Sequence, residues 1–196
     1  MRAVRRVVGR AMPLDRANVD TDQIIPAHWL RRIERTGYGA GLFEAWRRDP
    51  AFVLNDPRYA GASILIAGAN FGSGSSREHA VWALDEAGFR AVIAPRLADI
   101  FRANCLKSGM VAVELAADEV AALMRAAQAE PRTEITIDVE RRTVEAPGVR
   151  ATFALEDHAR DRLLRGLDDI AVTLAHADDI DRYEATRATW LPSLRD

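Results

Sequence analysis

GANFGSGSSREHA, Gly68–Ala80, is the stretch on which the reading of this chain turns. Before it comes Ser63–Ala67 (SILIA), a short apolar run bounded by Gly61 and Gly68, which fits a buried strand. After it, Ser75–Gly88 has helical spacing, with Ala80, Ala83, Leu84 and Ala87 on one face and Gly88 at the stop. Ala91–Ala94 (AVIA) reads as a second buried strand, Asp99–Ser108 as a helix and Met110–Leu115 as a third strand. This alternation implies βαβ units and a mainly parallel sheet.

Toward the N-terminus, Val4–Val8 reads as a short first strand. Asn18–Leu30 (NVDTDQIIPAHWL) reads as a polar loop entering a short buried segment. Residues 31–57 are rich in Gly, Arg and aromatics, with weak periodicity and several breakers. They are expected to form a mobile excursion over a site, since long loops in compact domains are usually functional or disordered. Toward the C-terminus, Asp118–Gln128 is an Ala/Leu helix and Glu134–Val139 alternates as a half-exposed strand. Arg141–Arg142 can turn it into a hairpin with Thr143–Ala146, and Thr152–Leu155 extends the sheet. Helices are expected over Asp157–Leu164, stopped by Gly166, and over Asp178–Thr189.

The chain has 196 residues, 48% hydrophobic and 29% charged, which suits one globular domain spanning 1–196. A formal net charge of −2 with mixed signs gives no reason to expect a nucleic-acid partner. No apolar run approaches the roughly 18–20 residues of a membrane span, and the basic N-terminus lacks the apolar core of a secretory signal. The single cysteine, Cys105, precludes a disulfide within the chain and agrees with a cytoplasmic location. It also precludes an iron–sulfur cluster held by this chain alone, since such clusters take about three or four thiolates. The four histidines show no HExxH or CxxC spacing, so no intrinsic metal site is expected. In its apolar-leaning helix, Cys105 reads as a small buried hydrophobe, Lys107 as a solvated charge, and Trp29, Trp46, Trp82 and Trp190 as packing or interface anchors.

Within Gly68–Ala80, the glycines Gly68, Gly72 and Gly74 permit positive φ and close ligand approach. Ser75 and Glu78 have the S-x-x-E spacing of a capping box, which predicts a helix start there. The first N–H groups of such a helix bind anions, and Arg77 adds a fork suited to carboxylate or phosphate. The same residues allow other readings. A dinucleotide fingerprint would need glycine where Arg77 stands, a P-loop would need a GK[ST] ending, and a well-capped turn would need no ligand at all.

The runs NVDTDQIIPAHWL, RTGYG, NFGSGSSREHAVWAL and DIFRANCLKSG, with GLDDIAVTL (Gly166–Leu174), together resemble the small subunits of bacterial 3-isopropylmalate dehydratase. The SSREH block alone is shared with the swivel domain of the wider aconitase superfamily. One departure is Ser73, where many relatives carry cysteine. The resemblance implies an α/β swivel domain with β/β/α layers, a mainly parallel central sheet, and a C-terminal hairpin plus helices. It implies a hydro-lyase of leucine biosynthesis that isomerises 2-isopropylmalate to 3-isopropylmalate through isopropylmaleate. It also implies a large-subunit partner with a 4Fe–4S cluster.

Carried onto this sequence, the resemblance makes Ser75 the catalytic base and Ser76 and Arg77 contacts to substrate carboxylate. Arg35, Thr36 and Gly37 of the RTGYG turn become substrate-binding residues. Asp20, Thr21, Asp22 and His79 stand behind them. Each has a plainer alternative: a solvated charge for Arg35, a turn-forming role for Asp20–Asp22, a hydrogen-bonded structural histidine for His79. Sibling hydro-lyases acting on citraconate, dimethylmalate or homoaconitate, and a stand-alone anion-binding module, are the competing functions.

Overall fold

The computed structural model describes residues 1–188 and 190. One seven-stranded sheet has the order β4-β3-β2-β1-β5-β6-β7. Strands β1 (Arg6–Leu14), β2 (Ile64–Ala67), β3 (Ala91–Ala94) and β4 (Val111–Glu114) run parallel. On the other side of β1, β5 (Glu134–Asp138), β6 (Thr143–Ala146) and β7 (Val149–Thr152) continue it antiparallel. Parallel strands need crossovers, and α2 (Glu78–Glu86) and α3 (Asp99–Ser108) supply them.

Register sorts the side chains into two cores. Ala11, Ile64, Ala91 and Val111 lie in one row across the parallel half. They point into a core shared with α4 (Ala117–Ala129), α5 (Asp157–Arg165) and the antiparallel strands, as a curled sheet requires. The next row, Met12, Leu65, Val92 and Ala112, points the other way, into the larger core, termed the first core, among α2, α3 and the turns that follow β1. Because strands β2 and β3 are buried on both faces, they read as unbroken apolar runs.

Several boundaries differ from expectation. The first strand is Arg6–Leu14, longer than Val4–Val8, because its second half is buried on both sides and loses the alternation that marks a strand. The last strand is Val149–Thr152, which the expected Thr152–Leu155 overlaps only at Thr152. Pro147–Gly148, with Gly148 at φ 76°, turns β6 tightly into β7. The C-terminal segment forms α6 (Asp169–Leu174) and α7 (Ala177–Thr186), and the expected end at Thr189 lies outside the described residues. Residues 31–57 contain short 3-10 turns, with Tyr38, Leu42, Phe43 and Phe52 sunk into the first core. Among the described residues no helix is long and apolar enough to cross a membrane.

Candidate active site

The loops leaving β1 and β2 emerge side by side at the carboxyl ends of those strands, where open α/β sheets place their ligands. Their parallel pairing continues beyond the strands. The Gly68 N–H donates to the Arg16 carbonyl (3.0 Å) and the Asn18 N–H to the Ala69 carbonyl (2.8 Å). Further on, the Gly72 and Ser73 N–H groups both donate to the Val19 carbonyl, and the Thr21 N–H donates to the Ser73 carbonyl. A Cβ at Gly68 would stand 2.5 Å from the Arg16 carbonyl oxygen, so this close approach requires glycine. From the opposite side the Phe71 N–H donates to the Arg96 carbonyl, and the buried Phe71 ring meets Phe101 edge-on at 5.3 Å. The serine loop is thereby held from two directions.

The DTD segment completes the bracket. Asp20 caps the short helix α1 (Thr21–Ile24), accepting from the Gln23 N–H at 2.8 Å, while the Gln23 side chain accepts from the Asp20 N–H. The buried Thr21 donates its hydroxyl proton to the Ser75 carbonyl at 3.1 Å. Asp22 forms an ion pair with Arg77, whose side chain is only 16% exposed. Each of the three residues thus has a distinct contact, and two of them reach the serine loop.

The expected capping box is absent. The α2 helix begins at Glu78, its N-cap is Arg77 in extended conformation, and no side chain caps it. With Gly74 at φ 92° and the Ser75 carbonyl held by Thr21, the chain bends at Gly74–Ser75 and does not turn helical until after the extended Arg77. Tertiary hydrogen bonds override the local signal. As a result, the backbone N–H groups of Gly74 through His79 have no protein acceptor among the described residues. Ser75 and Ser76 are exposed, and neither hydroxyl has a protein partner among those residues. Open N–H donors, two free hydroxyls and a guanidinium at a helix start are the groups with which a protein can hold an anion.

Behind it, His79 packs its ring on Trp82 (4.7 Å between centroids) and Tyr38 (5.2 Å). The imidazole makes no hydrogen bond among the described residues, so an aromatic contact takes the place of the expected hydrogen bond. Burial lowers its pKa from the ordinary 6.5, and nearby Arg77 adds to this while Glu78 opposes it.

Tyr38 links the site to the RTGYG turn. Residues Arg31 to Gly37 are all exposed, with Ile33 at 96%. Glu34 lies 3.7 Å from Arg32, whereas Arg35 and Thr36 have no partner among the described residues. Gly37, at φ 89°, donates its N–H to the Glu86 carboxylate at 3.1 Å, a contact the sequence did not reveal. Glu86 itself carries no sequence signal of this role, being one of many helix-terminal acids.

The side chains present do not fit an iron–sulfur cluster. Cys105 is fully buried in the first core, and burial pushes its thiol pKa far up. Among the described residues no three of His, Cys, Asp and Glu gather to hold a metal.

Comparisons with known proteins converge on one group. Residues 1–118 match the family model of the aconitase C-terminal domain, and residues 169–194 match that of the C-terminal domain of 3-isopropylmalate dehydratase small subunits. The 3-isopropylmalate dehydratase small subunit of a Parafrankia species is 61% identical over 185 residues, covering 94% of this chain and 95% of that one. Those of Rubrobacter xylanophilus and Streptomyces coelicolor are 54% and 55% identical over 192 residues, covering 98% of each chain. A solved 3-isopropylmalate dehydratase structure from Methanocaldococcus jannaschii superposes with a TM-score of 0.66 at 24% identity, covering 91% of this chain and 99% of that one. That likeness shows the fold, and the three bacterial sequences show the lineage: this chain belongs to the family of 3-isopropylmalate dehydratase small subunits.

Proposed function

We propose that this chain is the small subunit of a two-chain hydro-lyase of leucine biosynthesis, isomerising 2-isopropylmalate to 3-isopropylmalate through isopropylmaleate. Support comes from the names of relatives at 54–61% identity over nearly the full length. The observation that carries the chemistry is the exposed Ser75–Ser76 pair beside the half-buried Arg77, braced by Thr21 and Asp22 and lined with open N–H donors. The whole chain, 1–196, is read as one swivel-type domain presenting this segment to a partner.

On this reading Ser75 Oγ, as alkoxide, removes the proton from the carbon beside a substrate carboxylate while the neighbouring carbon loses its hydroxyl. Water then adds with the opposite regiochemistry, and Ser75 returns its proton to the other carbon. A serine hydroxyl is an intrinsically poor base, so its deprotonated form needs fixed donors. The open N–H groups of Gly74–His79 and the Arg77 guanidinium supply them. The charge that builds on the substrate carboxylate is met by Ser76 and Arg77. Asp22 holds one edge of that guanidinium and leaves its other N–H groups for the substrate. Arg35 and Thr36, the unpartnered side chains of the RTGYG turn, read the far end of the substrate.

The groups that receive the departing hydroxyl lie outside this chain, and we assign the 4Fe–4S cluster to a large subunit. Mixing the purified chain with a cluster-loaded large subunit under anaerobic conditions tests the proposal through the absorbance of the unsaturated intermediate. Turnover of 2-isopropylmalate is expected in the mixture and in neither chain alone. Turnover of citraconate or homoaconitate without 2-isopropylmalate would move the assignment to a sibling enzyme.

A further inference from the structure

Helix α2 ends on an acid. Glu86 is its last residue, at the end where the helix dipole disfavours negative charge, and no cation pairs with it among the described residues. Its carboxylate instead accepts two backbone hydrogen bonds, from the Gly37 N–H at 3.1 Å and from the Gly39 N–H at 2.9 Å. The contact is close: a Cβ at Gly39 would stand 3.1 Å from the Glu86 Cβ and 3.2 Å from the Ala87 nitrogen. Between the two glycines, Tyr38 is buried against His79 and Trp82, and its hydroxyl donates to the Glu34 carbonyl at 3.1 Å. His79, Trp82 and Glu86 are spaced i, i+3, i+7, so one face of α2 grips the whole turn.

These contacts pin Glu34, Gly37 and Gly39, and leave Arg35 and Thr36 exposed between the pins. The opposite end of the same helix carries Ser75–Arg77. We propose that Glu86 is a positioning residue for substrate recognition: by holding Gly37 and Gly39 it fixes where Arg35 and Thr36 stand relative to Ser75–Arg77. This rests on the hydro-lyase reading above. Apart from Glu86 and Tyr38, the turn is restrained by Arg32, whose guanidinium lies 5.2 Å over the Trp29 ring. Removing the carboxylate therefore lets Arg35 wander without disturbing the serine loop, which its own hydrogen bonds hold.

The test compares Glu86→Ala, Glu86→Gln, Arg35→Ala and the Glu86→Ala/Arg35→Ala double variant. By hydrogen exchange on the isolated chain, the Gly37 and Gly39 amides should open faster in Glu86→Ala, with β2 and β3 unchanged. In the reconstituted two-chain enzyme, Glu86→Ala should raise KM for 2-isopropylmalate about tenfold while kcat stays within about threefold. Glu86→Gln, which keeps one acceptor oxygen and the volume, should recover part of that loss, and it carries the comparison if the Ala variant folds poorly. The loss in the double variant should fall well short of the sum of the two single losses, because Glu86 acts largely through Arg35. Unchanged KM despite faster exchange, unchanged exchange, or additive losses in the double variant would each overturn the positioning role while leaving the hydro-lyase reading standing. An inactive wild-type mixture would instead defeat that reading, and this inference with it.

Discussion

Asp22 and Arg77, 55 residues apart in sequence, form an ion pair in which the guanidinium is mostly covered and the carboxylate mostly open. On the proposed function, the acid orients the cation that binds the substrate carboxylate. Asp22→Asn removes the charge and keeps the shape. Its effect on the stability of the isolated chain should stay within about 1 kcal/mol, the ordinary worth of a partly exposed pair. The KM of the reconstituted enzyme should rise about fivefold, the equivalent of about 1 kcal/mol of weakened orientation. Denaturant melts and steady-state kinetics check the two figures separately, and a KM that falls would mean Asp22 only competes with substrate.

Gly72 sets the entry to the serine loop. Its φ is 80°, and a Cβ there would fall 2.2 Å from Phe101 Cγ. Gly72→Ala combines left-handed strain with overpacking in the first core, a loss of about 3 kcal/mol. Thermal denaturation of the isolated chain should show it. Gly88→Ala is the control, since its φ of 102° brings the backbone strain but nothing lies within 4 Å of the added atom.

The depressed pKa of His79 makes a signed prediction. Its folded pKa lies below the unfolded value, so the unfolded chain binds the proton more readily, and stability associated with this group is complete above about pH 6.5 and declines as pH falls below it. His79→Phe keeps ring packing on Tyr38 and Trp82 and cannot be protonated. Relative to wild type, its melting temperature should therefore rise as pH is lowered from 7 to 5. A gap between the two that does not change with pH would show that His79 titrates as in water.

The βαβ stretch is legible in sequence because Ile64–Ala67 and Ala91–Ala94 are buried on both faces, and a buried strand leaves an unbroken apolar run. The start of α2 is not, since Ser75 and Glu78 have capping spacing while the distant Thr21 and the positive φ of Gly74 keep the segment out of the helix until Glu78. Glu86 is invisible for the same reason: its meaning depends on Gly37 and Gly39, which only the fold brings beside it. The β6–β7 hairpin, by contrast, has a local marker in Pro147–Gly148 that outweighs the apolar pattern of Thr152–Leu155.

Residues 31–57 should not behave as one mobile unit. The longest exposed run is Arg31–Gly37, while Leu42 and Phe43 are fully buried and the Phe43 N–H donates to the Ile24 carbonyl at 2.8 Å. Hydrogen exchange on the isolated chain should find the Glu34–Thr36 amides fast and the Phe43 amide protected. Equal rates across the segment would restore the picture of a single flexible excursion.

The base assignment is tested most directly by Ser75→Ala in the reconstituted enzyme. Ser75 is exposed and its hydroxyl has no protein partner among the described residues, so the isolated variant should melt within about 0.5 kcal/mol of wild type. With the large subunit present, kcat for 2-isopropylmalate should fall about a thousandfold while KM changes less than about threefold, as loss of a proton-transferring group requires. Turnover near the wild-type rate from a folded, assembled Ser75→Ala enzyme would contradict the account.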